Sequence, residues 1–224
     1  MPLRAQLGVT TFGIQVKPVI PLEFFDPRVE FQEGALKGSA ELTGGFAFGM
    51  LMRFGFTKFL SMEVGINQVR RNYAFSLMND TAGFEANDRI RYVGYEIPVL
   101  LLAYVRLTET LWMNGALGPS VDFYPSDAVR DVLDARAYVT RQEWAQLGAV
   151  GNIGMELRTR KAGYFYFGAT YHRAFGAMAR ANLTYYSPTG VPTTIADDLS
   201  GSYLTVDLRY FFHEDPDRLK RPRN

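Results

Sequence analysis

The feature that most constrains this chain is an alternation of apolar and polar residues with a period of two, which recurs in segment after segment. In "YLTVDLRYFF", Tyr203 to Phe212, one set is Leu204, Val206, Leu208, Tyr210 and Phe212, and the other contains Thr205, Asp207 and Arg209. That period belongs to a strand with two unlike faces. Eight segments of this kind are found, at about Val9 to Ile20, Ala40 to Phe54, Leu60 to Leu77, Arg89 to Arg106, Leu111 to Tyr124, Arg141 to Arg158, Tyr164 to Tyr185 and Gly201 to Phe212, and no helical pattern competes with them. Pro21 to Ser39, Met78 to Asp88, Pro125 to Thr140 and Tyr186 to Ser200 are long connections rich in turn formers and charge, whereas Gly55 to Phe59, Leu107 to Thr110 and Thr159 to Gly163 are short. Long and short connections in strict alternation predict an all-β, eight-stranded up-and-down antiparallel barrel over residues 7–212, with both ends of the chain at the tight-turn rim.

Eight strands enclose a space that side chains just fill, or that holds one small ligand, in soluble lipocalins and in membrane barrels alike. The two differ in which face is apolar. One face here carries Phe12, Ile14, Val16, Phe48, Met50, Val64, Ile66, Val99, Leu101, Leu117, Ile153, Phe167 and Leu208, nearly free of charge. The other is polar and small: Gly45, Gly49, Gly65, Gly118 and Gly148 lie among Lys17, Arg53, Glu63, Arg71, Glu96, Arg106, Asp122, Glu156, Asp207 and Arg209. A solvated exterior has no need to balance its charges or to prefer glycine, but a narrow lumen must pair every charge withdrawn from water. The five cations and five carboxylates on this face match. Apolar-out, polar-in alternation in segments of about ten residues is the pattern of a transmembrane barrel, and these charged residues are expected to form a lumenal network.

Composition narrows the function classes. Lys+Arg at 24 against Asp+Glu at 23 advertises no nucleic-acid surface. Without cysteine there is no disulfide framework, thiolate nucleophile or thiolate metal site, and His172 and His213 alone offer little for a metal cluster. The longest apolar run, Ile97 to Val105, falls well short of the roughly 20 residues of a membrane-crossing helix. "PLRAQ" at Pro2 to Gln6 resembles the tail of a secretory signal, with Ala5 as the cleavage position, so residues 1–6 are expected to be a signal-peptide remnant.

Three stretches go beyond pattern. "GIQVKPVIP" (Gly13 to Pro21), "YEIPVLLLAYV" (Tyr95 to Val105) and "GALGPSVDFY" (Gly115 to Tyr124) resemble the first, fourth and fifth strands of the Bacteroidetes-type outer-membrane β-barrel family that includes the PorT-like proteins. The resemblance implies a barrel in the outer membrane of a Gram-negative bacterium, with periplasmic termini, in contact with membrane lipid. "YLTVDLRYFF" is similar to the C-terminal insertion signal of such barrels, although here Phe212 is followed by "HEDPDRLKRPRN". Residues 213–224 then form a charged periplasmic tail.

Catalysis is not expected, and neither a cofactor nor a metal is called for. His172 points inward near the loop end of its strand, within reach of a serine or carboxylate, but no spacing singles one out; a hydrogen-bonded lumenal role is the simpler account. Glu96 with Glu156 could form a carboxylate pair, though structural pairing fits the balanced lumen better. Trp112, Trp144, Tyr104, Tyr124 and Tyr166 share the inward parity and should plug the lumen. Pro98, unable to donate to a ladder, is read as a local bulge. Phe24, Phe25 and Phe31 in an acidic first loop, and Arg218, Lys220 and Arg221 in the tail, are the candidate contacts for other envelope proteins or a surface lipoprotein. The function expected is an accessory or structural subunit of an envelope complex for secretion or insertion, with a narrow pore for ions or small solutes as the alternative and an enzyme using His172 third.

The tail makes the first prediction. It is densely charged and poor in apolar residues, so truncation after Phe212 should leave an inserted, heat-modifiable barrel but weaken salt-sensitive association with a periplasmic partner. Co-purification at low and high salt measures this; a truncated chain that fails to insert contradicts it.

Overall fold

The computed structural model describes residues 10–21, 28–159, 161–188 and 190–213, and among them the chain forms thirteen strands and no helix. These are β1 (Thr10–Ile20), β2 (Arg28–Glu33), β3 (Leu36–Gly55), β4 (Leu60–Asn79), β5 (Phe84–Arg106), β6 (Leu111–Phe123), β7 (Ala128–Val132), β8 (Ala135–Arg141), β9 (Ala145–Arg158), β10 (Tyr164–Ala174), β11 (Ala177–Tyr186), β12 (Pro192–Ser200) and β13 (Tyr203–Phe211). Eight of them close a ring of antiparallel pairs in the order β1, β3, β4, β5, β6, β9, β10, β13 and back to β1. Thr10 opposes Phe54 and Gly13 opposes Phe211, so the start of β1 and the end of β13 sit at the tight-turn rim. The closed ring has no free sheet edge, as a wall facing lipid requires.

The outward faces of the ring strands form an apolar belt in which even large side chains stand free, Leu117 at 68% and Phe167 at 61% exposure. An apolar surface that runs around a whole molecule has no place in water. Inside, the wall is crowded. A side chain at Gly49 or Gly118 would collide with the carbonyl oxygen of Ile66 or Val99 on the neighbouring strand, so only glycine lets these strands approach so closely.

The segments expected to be long loops hold strands. β2 lies in the first, β7 and β8 in the third and β12 in the fourth, and the segment Tyr164 to Tyr185 breaks at Phe175 and Gly176 into β10, which stays in the ring, and β11, which leaves it. Their polar, turn-rich residues cover only one face; the other carries Val139, Leu183, Ile195 and Leu199, all buried. Strands β12, β11, β8 and β7 form a second sheet in that order, with its edges lying against β2 and β5. β3, β4 and β5 have 20, 20 and 23 residues, about twice the 9–11 that cross a bilayer. Their upper halves and β2 face the second sheet across an apolar core that includes Phe31, Leu36, Leu77, Leu183 and Ile195. A dry-cored upper storey therefore stands on a polar-cored ring.

Polarity inverts along single strands where the storeys meet. On β4 the inward residues run Glu63, Asn67, Arg71, then Tyr73, Phe75 and Leu77, while the outward ones run Met62, Val64, Ile66, then Gln68, Arg70 and Asn72. On β3 the inversion includes a change of parity. The β3–β4 register shifts between Leu42 and Gly44, and Gly44, at a φ of 131°, supplies a backbone conformation that other residues avoid. The extra residue keeps Ala40 and Leu42 facing inward above it, and Ala47, Leu51 and Arg53 below. At Pro98 the expected bulge is absent: Glu96 opposes Asn67 and Val99 opposes Val64, with two residues between on each strand, so the ladder is interrupted without a shift. The same holds toward β6, where Pro98 opposes Ser120 and Leu101 opposes Leu117.

Because Leu183 packs in the upper core, away from the ring's charge network, Leu183→Ala should destabilise the upper storey by about 2–5 kcal/mol and leave the ring closed. Limited proteolysis should then cut the upper connections while the heat-modifiable band persists; loss of that band would show the two storeys to be one unit.

Candidate functional site in the barrel lumen

The inward parity of the ring strands gathers ten buried charged side chains among the described residues. The cations are Lys17 on β1, Arg53 on β3, Arg71 on β4, Arg158 on β9 and Arg209 on β13; the carboxylates are Glu63 on β4, Glu96 on β5, Asp122 on β6, Glu156 on β9 and Asp207 on β13. His172, fully buried, represents β10.

Toward the turn rim these groups form one continuous chain. Arg158 Nε donates to Glu156 Oε1 at 2.7 Å, and Glu156 Oε2 accepts from Arg53 Nη1 at 2.5 Å. Arg53 reaches Glu63 Oε2 through Nη2 at 3.0 Å, Glu63 Oε1 accepts from Arg209 Nη1 at 2.6 Å, and Arg209 Nη2 donates to Asp207 Oδ2 at 2.6 Å. Thr170, Thr205 and Asn152 also donate to Asp207, with Lys17 Nζ 4.0 Å away. Aromatic rings close this end: Arg53 lies 3.7 Å from the centroid of Phe211, and Arg158 lies over Tyr104, Trp112 and Tyr164.

A second group lies toward the upper storey. Gln15 Nε2 donates to Asn67 Oδ1 at 2.5 Å, Asn67 Nδ2 donates to Glu96 Oε1 at 3.0 Å, and the Tyr203 hydroxyl donates to Glu96 Oε2. His172 stacks on Tyr203 with centroids 4.8 Å apart, and its Nε2 is 2.9 Å from Asp122 Oδ2, 3.1 Å from Ser120 Oγ and 3.9 Å from Glu96 Oε2. Arg71 lies over Tyr203 and donates to the Gly201 carbonyl. Buried Tyr73, Tyr92 and Tyr124 of the apolar core lie above.

Two kinds of chemistry can be weighed on this geometry. In a nucleophilic triad the base takes the serine proton on one ring nitrogen while an acid holds the other. Here Ser120 and Asp122 meet the same Nε2. Glu96, Asp122 and His172 could also offer one ligand atom each to a cation, within 4.8 Å of one another. Yet five buried cations already balance five buried carboxylates, which leaves no surplus negative charge to draw a divalent ion inward.

Nine of the ten charges assigned to the lumen are buried there. Arg106 is not: it ends β5 at the turn rim, is exposed, donates to the Thr108 carbonyl at 2.9 Å and lies over Trp112. Arg158, which the parity of β9 also points inward, is the fifth buried cation instead and donates to Glu156. Glu96 and Glu156 share no partner, each being held in a different group. Trp144, 63% exposed, stands outside edge-on to Phe123 because it precedes the first residue of β9 and escapes the strand's alternation. Phe31, expected in an exposed loop, is buried on β2 in the upper core and is closed to partners. Phe24, Phe25, Arg218, Lys220 and Arg221, and residues 1–6, lie outside the described residues. Ser120, Asn67, Gln15 and Tyr203 were not singled out from sequence; their parity was the available signal.

Arg53 joins two carboxylates, so Arg53→Met should cost about 3–5 kcal/mol by leaving Glu63 and Glu156 short of a partner. Adding Glu156→Gln to it should recover part of that loss. Denaturant unfolding of the single and double variants measures the coupling, and strictly additive effects would remove Arg53 from its place as the joint of the network.

No protein-family model and no curated protein matches the chain. Among solved structures it is similar to the outer membrane protein OprG from Pseudomonas aeruginosa, at TM-score 0.56 and 12% identity over 93% of this chain and 98% of that one. It also aligns with the outer membrane protein AlkL, solved in lipid bilayers, at TM-score 0.46 and 7% identity over 93% and 92% of the two chains. The fold, all-β with a closed eight-stranded antiparallel ring, is that of an outer-membrane β-barrel protein.

Proposed function

We propose that this barrel is a non-enzymatic structural or accessory subunit of the outer membrane of a Gram-negative bacterium, working within a larger secretion or insertion assembly. The observation that carries the reading is a lumen filled through its length: paired charges in the middle, aromatic rings at the turn rim and an apolar core above. Such a wall anchors and displays the upper storey better than it passes solutes. The PorT-like resemblance of the first, fourth and fifth ring strands favours an envelope assembly as the setting, with the termini in the periplasm and the upper storey outside. The tail, densely charged in sequence, and the outer surface of the upper storey are the parts assigned to meet envelope proteins or a surface lipoprotein.

A narrow pore is the second reading, favoured by ten ionisable groups along the axis. Against it, the charges toward the turn rim are held in one chain by opposite charges and rings, so an ion entering would have to break those contacts. An enzyme working through His172 is third, since Ser120 and Asp122 compete for one nitrogen under a dry cap.

Planar-bilayer recording on the pure protein should give no stable single-channel conductance, and cross-linking in cells followed by mass spectrometry should recover envelope proteins. Steady ohmic steps from the pure protein would replace the subunit reading with the pore.

A further inference from the structure

The charges on the outer wall are treated differently at two levels. In the upper storey Arg28, Lys37, Arg130 and Arg136 each hold a carboxylate within 4.0 Å. At the upper edge of the apolar belt this stops. The first outward charge above the belt is Arg70 on β4 and Arg91 on β5, followed by Arg89 two residues further up β5. Their register is close: Arg70 opposes Val93, Asn72 opposes Arg91 and Ala74 opposes Arg89, which places Arg70 and Arg91 on a diagonal and Arg89 next above. All three are exposed, and among the described residues none forms an ion pair. Arg70 donates to the Gln68 side chain at 2.9 and 3.1 Å and lies 5.5 Å from the Phe48 ring centroid, which props its guanidinium over the belt. The carboxylates nearest in register are engaged elsewhere, Asp88 by Arg130 at 2.7 Å and Glu41 by Arg28 at 4.0 Å. Arg130 holds the Asp88 carboxyl below the usual range, so it stays ionised and committed to that pair. Immediately above, an open groove of about 590 Å³ is lined by the hydroxyls of Ser39 and Ser76, the Asn87 amide and Arg89, together with Glu41 and Asp88, whose carboxylates are held by Arg28 and Arg130.

We propose that this patch binds the phosphate groups of a phosphorylated glycolipid, with Arg70, Arg91 and Arg89 taking the phosphates and the groove above them the sugar. The level is that of lipid headgroups, because the apolar belt ends one residue pair below Arg70, where Tyr95 marks the interface. Three guanidiniums without carboxylates match the charge of a headgroup with more than one phosphate, and arginine's fork suits phosphate oxygens. This inference rests on the membrane placement of the belt, and the experiment separates the two.

The purified protein is reconstituted into phosphatidylcholine nanodiscs doped with bis-phosphorylated lipid A or with its dephosphorylated form, and bound lipid is counted by native mass spectrometry at low and high salt. Wild type should retain the phosphorylated form preferentially, and the preference should shrink as salt rises. At about fivefold per arginine, the variant Arg70→Gln/Arg89→Gln/Arg91→Gln should lose retention on the order of 100-fold, whereas Lys37→Gln/Arg136→Gln, which removes cations outside the groove, should retain lipid as wild type does. Equal retention of the two lipids by wild type overturns the proposal whatever the variants do, and so does a folded triple variant that binds like wild type. A protein that enters no nanodisc at all would instead overturn the membrane placement.

Discussion

Charge neutrality inside a narrow wall is the constraint on which the rest of this molecule depends. Ten ionisable side chains are withdrawn from water within one ring, and an unmatched charge there would cost several kcal/mol. Toward the turn rim the match is local as well as global: Arg53 is held by Glu63 and Glu156, Arg209 by Glu63 and Asp207, and the spare lone pairs of Asp207 are filled by Thr170, Thr205 and Asn152. The network thus ties β3, β4, β9 and β13 across the lumen, in directions that the backbone ladder, running only between neighbours, cannot reach. Glycines on the inward face let the strands come close enough for these side chains to meet.

A second consequence concerns where the solvent changes. A strand that leaves the bilayer must exchange an apolar outside for a wet one, and its inside can then become dry. On β4 this exchange is written residue by residue, with Ile66 giving way to Arg70 outside as Asn67 gives way to Tyr73 inside. On β3 the same exchange needs a physical adjustment, the extra residue at Leu42 to Gly44. The upper storey is not a set of loops draped over a mouth; it is a second sheet-bounded core that shares three strands with the first.

The ring was legible in the sequence because lipid enforces alternation on every strand that crosses it. Most of the lumenal charges were legible for the same reason. What parity could not convey is depth: Arg106 has the inward parity of β5 but lies at its last residue, where water reaches it, and Trp144 lies one residue before its strand begins. Phe31 was misplaced because acidic neighbours disguise a strand whose other face is buried. The upper storey escaped detection for a related reason. β7 and β8 are short, the polar faces of β7, β8 and β12 contain the same turn formers and charges as true loops, and β11 reads in sequence as the continuation of β10. The meeting of Ser120, Asp122 and His172 depends on the register between β6, β9 and β10, which no single segment records.

The position of Asp207 and Arg209 in the chain bears on assembly. They lie on β13, the last of the described strands in chain order, and β13 pairs with β1, the first of them. Until it docks, Glu63 lacks one of its two arginines and Lys17 its nearest carboxylate, and both must stay hydrated in an open sheet. Closure then joins the backbone edge and completes the pairs of Glu63 and Lys17 in one step. An unclosed ring is therefore a wet ring, and the entry of lipid-facing wall into the membrane is coupled to the expulsion of water from its centre.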